Sequence, residues 1–271
     1  MKKVFNLANK YMVLTIPLIL FSLISSIYLT ITSSGKIINL IFALFLSGLM
    51  VAVFLAGWFN MIKHAISEKY YDEPNKLLKE FVPGVGEYFL STLGALAKIL
   101  ILSLLIIIGS YYVGMALIGD TGVSAEAFSK ALETPQALKI FVTSLTTEQL
   151  SKLNSWYFFI LSILATWYFV LMLYFPALFY KSKNPCLAFF YSLKDLINKK
   201  FFITLSIYIL IFCTNFFISF ISTLFMNNSV IHFVTTLMNF YFITVASVGV
   251  FYYYYENFIN TQIGQNIDTE V

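Results

Sequence analysis

Fifty-five consecutive residues, Phe201 to Tyr255, contain no Asp, Glu, Lys or Arg. As one α-helix they would reach about 80 Å at ~1.5 Å per residue, far beyond the ~30 Å hydrocarbon core of a bilayer. The run must fold back on itself, and Asn227-Asn228-Ser229 is the polar break near its middle. In lipid, backbone polar groups must be satisfied within the chain, which restricts spanning segments to helices or closed barrels. The apolar runs do not alternate with polar residues, so helices are expected.

Composition extends this reading to the whole chain. Of 271 residues, 59% are hydrophobic and 11% charged, where soluble domains carry ~25% charged residues. The expected fold class is all-α: a polytopic membrane helix bundle with six transmembrane helices at about 11–34, 37–62, 89–118, 154–180, 201–226 and 230–255. These form a single transmembrane domain over 1–258, with an extracytoplasmic helical connection at 120–153 and a polar cytoplasmic tail at 259–271. The first run is too long for the apolar core of a secretory signal, and it is expected to be a retained span. In the connection, Thr134-Pro135 reads as an N-cap with proline at N1, and Thr146 to Gln149 as a capping box. Gly48, Ala52 and Ala56 share one face of the second span, where small residues admit a close neighbour.

All 17 basic residues are lysine. Arginine grips phosphate or carboxylate bidentately, whereas lysine supplies a point charge. With no soluble surface to carry a basic patch, nucleic acid is not an expected partner. Residues 1–10, 63–87 and 181–200 hold three, four and five lysines, against four on the opposite side at Lys36, Lys130, Lys139 and Lys152. By the positive-inside rule both termini are expected in the cytoplasm, in a multi-pass protein of the inner (cell) membrane. The lipid bilayer is the expected partner, with anionic headgroups at the cytoplasmic lysines. Cys186 and Cys213 fit neither a metal-ligand spacing nor a disulfide framework.

Three like units follow from this topology, starting near Met1, Glu73 and Asn184. Each is a cytoplasmic amphipathic elbow, a span out, a connection and a span back. The elbow at 74–86 is expected to lie on the membrane surface and to bend at Pro83-Gly84-Val85-Gly86 before entering lipid. The elbow at 185–198 opens with Asn184 as N-cap and Pro185 at N1. Six spans, such elbows, a long third connection and the run Phe81-Val82-Pro83-Gly84-Val85-Gly86 resemble a bacterial family of six-helix membrane proteins. Some members are fused, as a membrane domain, to glycerophosphodiester phosphodiesterases. The resemblance covers nearly the whole chain and implies a multi-pass inner-membrane protein. These residues carry no counterpart of the phosphodiesterase domain, so no catalytic residue is transferred.

Chemical motifs are sparse. There is no nucleotide P-loop and no Gly-x-Ser-x-Gly elbow, and no Asp or Glu lies inside an expected span. No enzyme activity and no cofactor or metal is expected; a lipid-modifying enzyme would have to use His64, Glu68, Asp72 and Glu73. An ion path needs a charged or densely polar lining, which these spans do not offer. The expected function is binding or transport of a lipid-like or amphipathic molecule. Kinks at Pro17 and Pro176 would open a cavity lined by Asn60, Lys98, Asn215 and Asn239. Intramembrane asparagines also hold helices together, and Lys98 lies near enough to the cytoplasmic edge to snorkel. The alternative is a non-catalytic accessory subunit bound to a membrane-protein partner or to a second copy.

Overall fold

The structure, a computed structural model, describes residues 2–32, 37–68, 72–131, 133–225 and 228–260. The expected turn at 33–36, Asn227 and residues 261–271 of the tail lie outside the described residues. Among the described residues every regular element is helical: α1 (Lys2–Lys10), α2 (Thr15–Thr32), α3 (Ile37–Ile66), α4 (Phe81–Leu117), α5 (Ala125–Ala131), α6 (Pro135–Ser144), α7 (Thr147–Leu171), α8 (Tyr174–Tyr180), α9 (Pro185–Leu196), α10 (Phe201–Leu224) and α11 (Ser229–Tyr254). Short 3₁₀ turns at Met12–Leu14 and Pro74–Glu80 precede α2 and α4.

Five helical stretches are long and apolar enough to cross a membrane: Ala43–Ile66, Pro74–Leu117, Thr147–Tyr180, Phe201–Leu224 and Ser229–Ile259. Lys2–Lys10 and Met12–Tyr28 meet at 72° and make a sixth if the bent pair is one span. The protein is an all-α membrane protein.

The expected caps are formed. Asn184 Oδ1 accepts from the N–H groups of Cys186 and Leu187 at 2.9 and 3.3 Å, Thr134 Oγ1 from Ala137 N–H at 3.1 Å, and Thr146 and Gln149 bond reciprocally. Each satisfies amides that a first helical turn leaves without a partner.

Two expectations need correction. Pro83-Gly84-Val85-Gly86 does not bend the chain, because it lies inside α4, and the expected surface helix at 74–86 is the short 3₁₀ turn Pro74–Glu80. Pro83 stands in the first turn of α4, where its missing N–H has no intrahelical partner to lose. Gly84 serves close packing instead: a Cβ there would lie 2.4 Å from Asn60 Cβ and 3.0 Å from the Ala56 carbonyl oxygen of α3. The helix therefore begins before the expected boundary at 89 and takes in Glu87. The fourth span, Thr147–Tyr180, breaks at Met172-Leu173 between α7 and α8, beside the expected Pro176 kink. Pro176, in the first turn of α8, has no N–H to donate to the Met172 carbonyl, which accounts for the break.

The chain forms two compact units, residues 1–98 with 170–271, and residues 99–169. In the first, the buried core gathers at one end of α3, α8 and α11. The Phe59 ring lies 5.0 Å from Phe251, 5.1 Å from Phe175 and 5.7 Å from Phe179. Tyr88 of α4 stacks on Phe179 at 4.2 Å, and Trp58 Nε1 donates to the Leu14 carbonyl at 2.8 Å. A buried ion pair joins Lys181 to Asp195 at 2.8 Å, and Tyr254 donates to the same carboxylate at 2.5 Å. In the second unit Trp156 donates to the Gly119 carbonyl at 3.1 Å and Trp167 to Ser103 Oγ at 3.0 Å, tying α7 to the far part of α4.

Helix α9 buries Ala188, Ser192, Asp195 and Leu196 and exposes Leu187, Phe190, Tyr191 and Lys194.

Candidate functional site

Of the four residues expected to line a cavity, Asn60 and Lys98 are engaged elsewhere. Asn60 is 2% exposed on α3, and its Nδ2 donates to the Glu80 carbonyl at 2.9 Å. The Glu80 carboxylate in turn lies 3.3 Å from His64 Nε2. Asn60 therefore fastens the 3₁₀ turn before α4 to the end of α3, a packing role. Lys98 is half-buried, with its ammonium 4.4 Å from the Phe189 ring centroid and 5.4 Å from that of Phe190. Two ring faces supply electrostatic attraction to the cation, which has no carboxylate partner among the described residues.

Asn215 and Asn239 belong together. Their helices, α10 and α11, are hydrogen-bonded at two levels: the hydroxyls of Thr204 and Tyr253 are 2.7 Å apart, and Thr235 Oγ1 is 3.5 Å from Ser222 Oγ. Both pairs fit a single antiparallel register, which sets Asn239 level with Ile218 and within about one 5.4 Å turn of Asn215. At ~100° per residue, Lys200, Thr204, Tyr208, Asn215 and Ser222 fall in a stripe about 80° wide on α10. His232, Thr235, Asn239 and Tyr253 fall in a similar stripe, about 60° wide, on α11. The polar groups of the two helices thus face one another along a shared seam.

The seam is closed at one end and open in the middle. Thr204 is fully buried and Tyr253 8% exposed, and below them Lys200 Nζ donates to Asn257 Oδ1 at 2.9 Å. Near the turn, Ser222 Oγ lies 3.4 Å from His232 Nδ1. Between these points Asn215 is exposed and makes no side-chain hydrogen bond among the described residues, although it shares the face of Thr204 and Ser222. Asn239 is half-buried, and its Oδ1 is buried without a hydrogen-bond partner. Asn215 stands about 14 Å from the end of α10 and Asn239 about 15 Å from the start of α11, at ~1.5 Å per residue. That is mid-depth for a ~30 Å hydrocarbon core.

Other polar residues of α10 have no such need. The hydroxyls of Ser206, Thr214 and Thr223 return to the carbonyls of Phe202, Leu210 and Ser219 at 2.8–2.9 Å. A hydroxyl can satisfy itself on its own helix. An asparagine amide, with two donors and an acceptor, is satisfied here neither by its own helix nor by its neighbour.

His64, Glu68, Asp72 and Glu73 do not form a common centre. His64 pairs with Glu80, Glu73 pairs with Lys76, and Glu68 and Asp72 are exposed. Comparison with family models, with curated proteins and with solved structures gives no match to this chain. Thr204, Tyr208, Ser222, Thr235 and Tyr253 were not among the expected site residues. Their signal was present as spacing: polar residues at 200, 204, 208, 215 and 222 recur at steps of four and seven, with Ser206, Thr214, Ser219 and Thr223 outside that series.

Proposed function

We propose that the seam between α10 and α11 binds the polar end of an amphipathic, lipid-like molecule, with Asn215 and Asn239 as its mid-membrane anchors. The reading extends to topology: six spans in the cell membrane, both termini cytoplasmic, with the elbows' lysines against anionic headgroups, as the family resemblance implies. The observation that carries the site is that two facing amides at mid-depth lack hydrogen-bond partners. A polar group in an apolar medium without its hydrogen bond costs roughly 2–7 kcal/mol, so a ligand is favoured there whose hydroxyl or ammonium group donates to Asn239 Oδ1 and whose phosphate or ester oxygens accept from the amide N–H groups. The ligand's chains would remain in the surrounding lipid, beside the exposed Phe212, Phe216 and Phe220 of α10.

The test is photo-crosslinking in lipid nanodiscs with a phospholipid that is photoreactive next to its headgroup. Labelling is expected to concentrate on α10 and α11 around Asn215 and Asn239, and to fall in the Asn215→Leu/Asn239→Leu double variant. Labelling spread evenly over the outward faces of α4 and α10 would refute the site. A second reading, a partner-binding accessory subunit, draws on the same unpaired amides, since a partner helix with its own polar side chain would also satisfy them. Co-purification of a stoichiometric partner, lost in the double variant, would establish that reading instead.

A further inference from the structure

Resting on the lipid-binding reading, we infer that the seam is a path as well as a site: it passes a phospholipid headgroup from one leaflet to the other while the acyl chains stay in the bilayer. A site that only holds a ligand needs polar groups at one depth. Here they recur along the whole of α10. Lys200 and Asn257 stand at one end, Thr204 and Tyr253 follow, then Tyr208, then Asn215 with Asn239, and finally Ser222, Thr235 and His232 by the turn. At ~1.5 Å per residue, successive polar residues on α10 are no more than about 11 Å apart, so a headgroup meets a hydrogen-bonding group at every level.

The chemistry along the path suits exchange. Lys200 offers a cation to a phosphate at one mouth. The hydroxyl pairs trade a hydrogen bond with each other for one with the headgroup, an exchange of like for like with little net cost. The two asparagines stand where water is absent and the barrier for a polar group would otherwise be highest. The exposure of Asn215 leaves the seam open sideways at that depth, so a chain need not enter the protein for its headgroup to reach the amides. The buried contact between Thr204 and Tyr253 closes the seam between mid-depth and Lys200, and passage requires these two hydroxyls to part.

The experiment uses the full chain in unilamellar vesicles of phosphatidylcholine and phosphatidylglycerol, with a trace of acyl-labelled fluorescent phosphatidylglycerol, whose glycerol hydroxyls can donate to Asn239 Oδ1, and a membrane-impermeant reductant. Without passage, only the outer-leaflet label is bleached. With the protein, bleaching is expected to proceed past that share towards completion. The Asn215→Leu/Asn239→Leu variant is expected to slow the second phase about tenfold or more, and Phe217→Leu, exposed on the side of α10 away from the seam, to leave it unchanged. Monodisperse gel filtration of both variants guards against misfolding. If bleaching stops at the outer-leaflet share while photo-crosslinking still finds the headgroup at the seam, passage is refuted and binding stands. If neither is observed, both readings fall. Passage that proceeds at the same rate in the double variant also overturns the inference, because the route then lies elsewhere.

Discussion

The hydroxyls of Thr204 and Tyr253 meet 2.7 Å apart in a buried contact, and this pair sets the register that turns scattered polar residues on α10 and α11 into one line. Without it, Asn215 and Asn239 would be two isolated polar residues in apolar helices. With it, they fall within about one turn of each other on the facing stripes of two helices, while Asn60 and Lys98 are held by contacts elsewhere in the fold.

That separation predicts opposite consequences for two asparagines. Asn60→Leu removes the buried hydrogen bond that ties the Glu80 carbonyl to α3, at a cost of about 1 kcal/mol, and should lower the melting temperature in detergent with little change in headgroup labelling. Asn215→Leu removes an amide that has no partner in the fold. It should leave the melting temperature unchanged or raise it, while labelling at the seam falls. Equal loss of stability in both variants would contradict the assignment.

The buried cluster of Lys181, Asp195 and Tyr254 predicts a second contrast. The two charged side chains of the pair are 15% and 8% exposed, so Asp195→Ala strands a shielded ammonium and should cost about 3–5 kcal/mol. Replacing both partners, as Lys181→Met with Asp195→Leu, should recover most of that loss. Chemical or thermal unfolding of the three proteins in the same detergent measures it.

Gly84 and Gly86 make a third pair, two residues apart in one helix. A Cβ at Gly84 would meet Asn60 and the Ala56 carbonyl, whereas nothing lies within 4 Å of one at Gly86. Gly84→Ala should destabilise by about 1–3 kcal/mol through overpacking. Gly86→Ala should gain about 0.5–1 kcal/mol, because alanine loses less backbone entropy than glycine in a helix. Thermal unfolding of both variants decides whether this segment packs or bends.

The proposed topology is tested by reporter fusions at Lys139 and after the C-terminal residue. An external signal at Lys139 and a cytoplasmic one at the C-terminus are expected from the lysine distribution. The reverse at either point would remove the basis for placing the elbows in the cytoplasm.

How far these features could be read from the sequence depended on the range of the interaction. Apolar runs and caps such as Asn184 before Pro185 are local, and they were legible. The segment Pro83-Gly84-Val85-Gly86 was misread because proline and glycine signal a break in isolation, while here Pro83 opens a helix and Gly84 admits α3. Glu80 and Asp195 are both buried. Their partners His64 and Tyr254 lie far away in sequence, so no local pattern revealed them. The seam was half legible: the spacing of Lys200, Thr204, Tyr208, Asn215 and Ser222 marks one face of α10, but only the contacts to Tyr253 and Thr235 show which helix it meets.

The most direct measurement of the central claim is an experimental structure of the chain in a phospholipid nanodisc, read at the level of Asn215 and Asn239. The account predicts headgroup density between α10 and α11 within hydrogen-bonding distance of both amides, with acyl density running along the outward face of α10. A seam closed over both asparagines, with their amides bonded to each other or to other side chains of the protein, would contradict it.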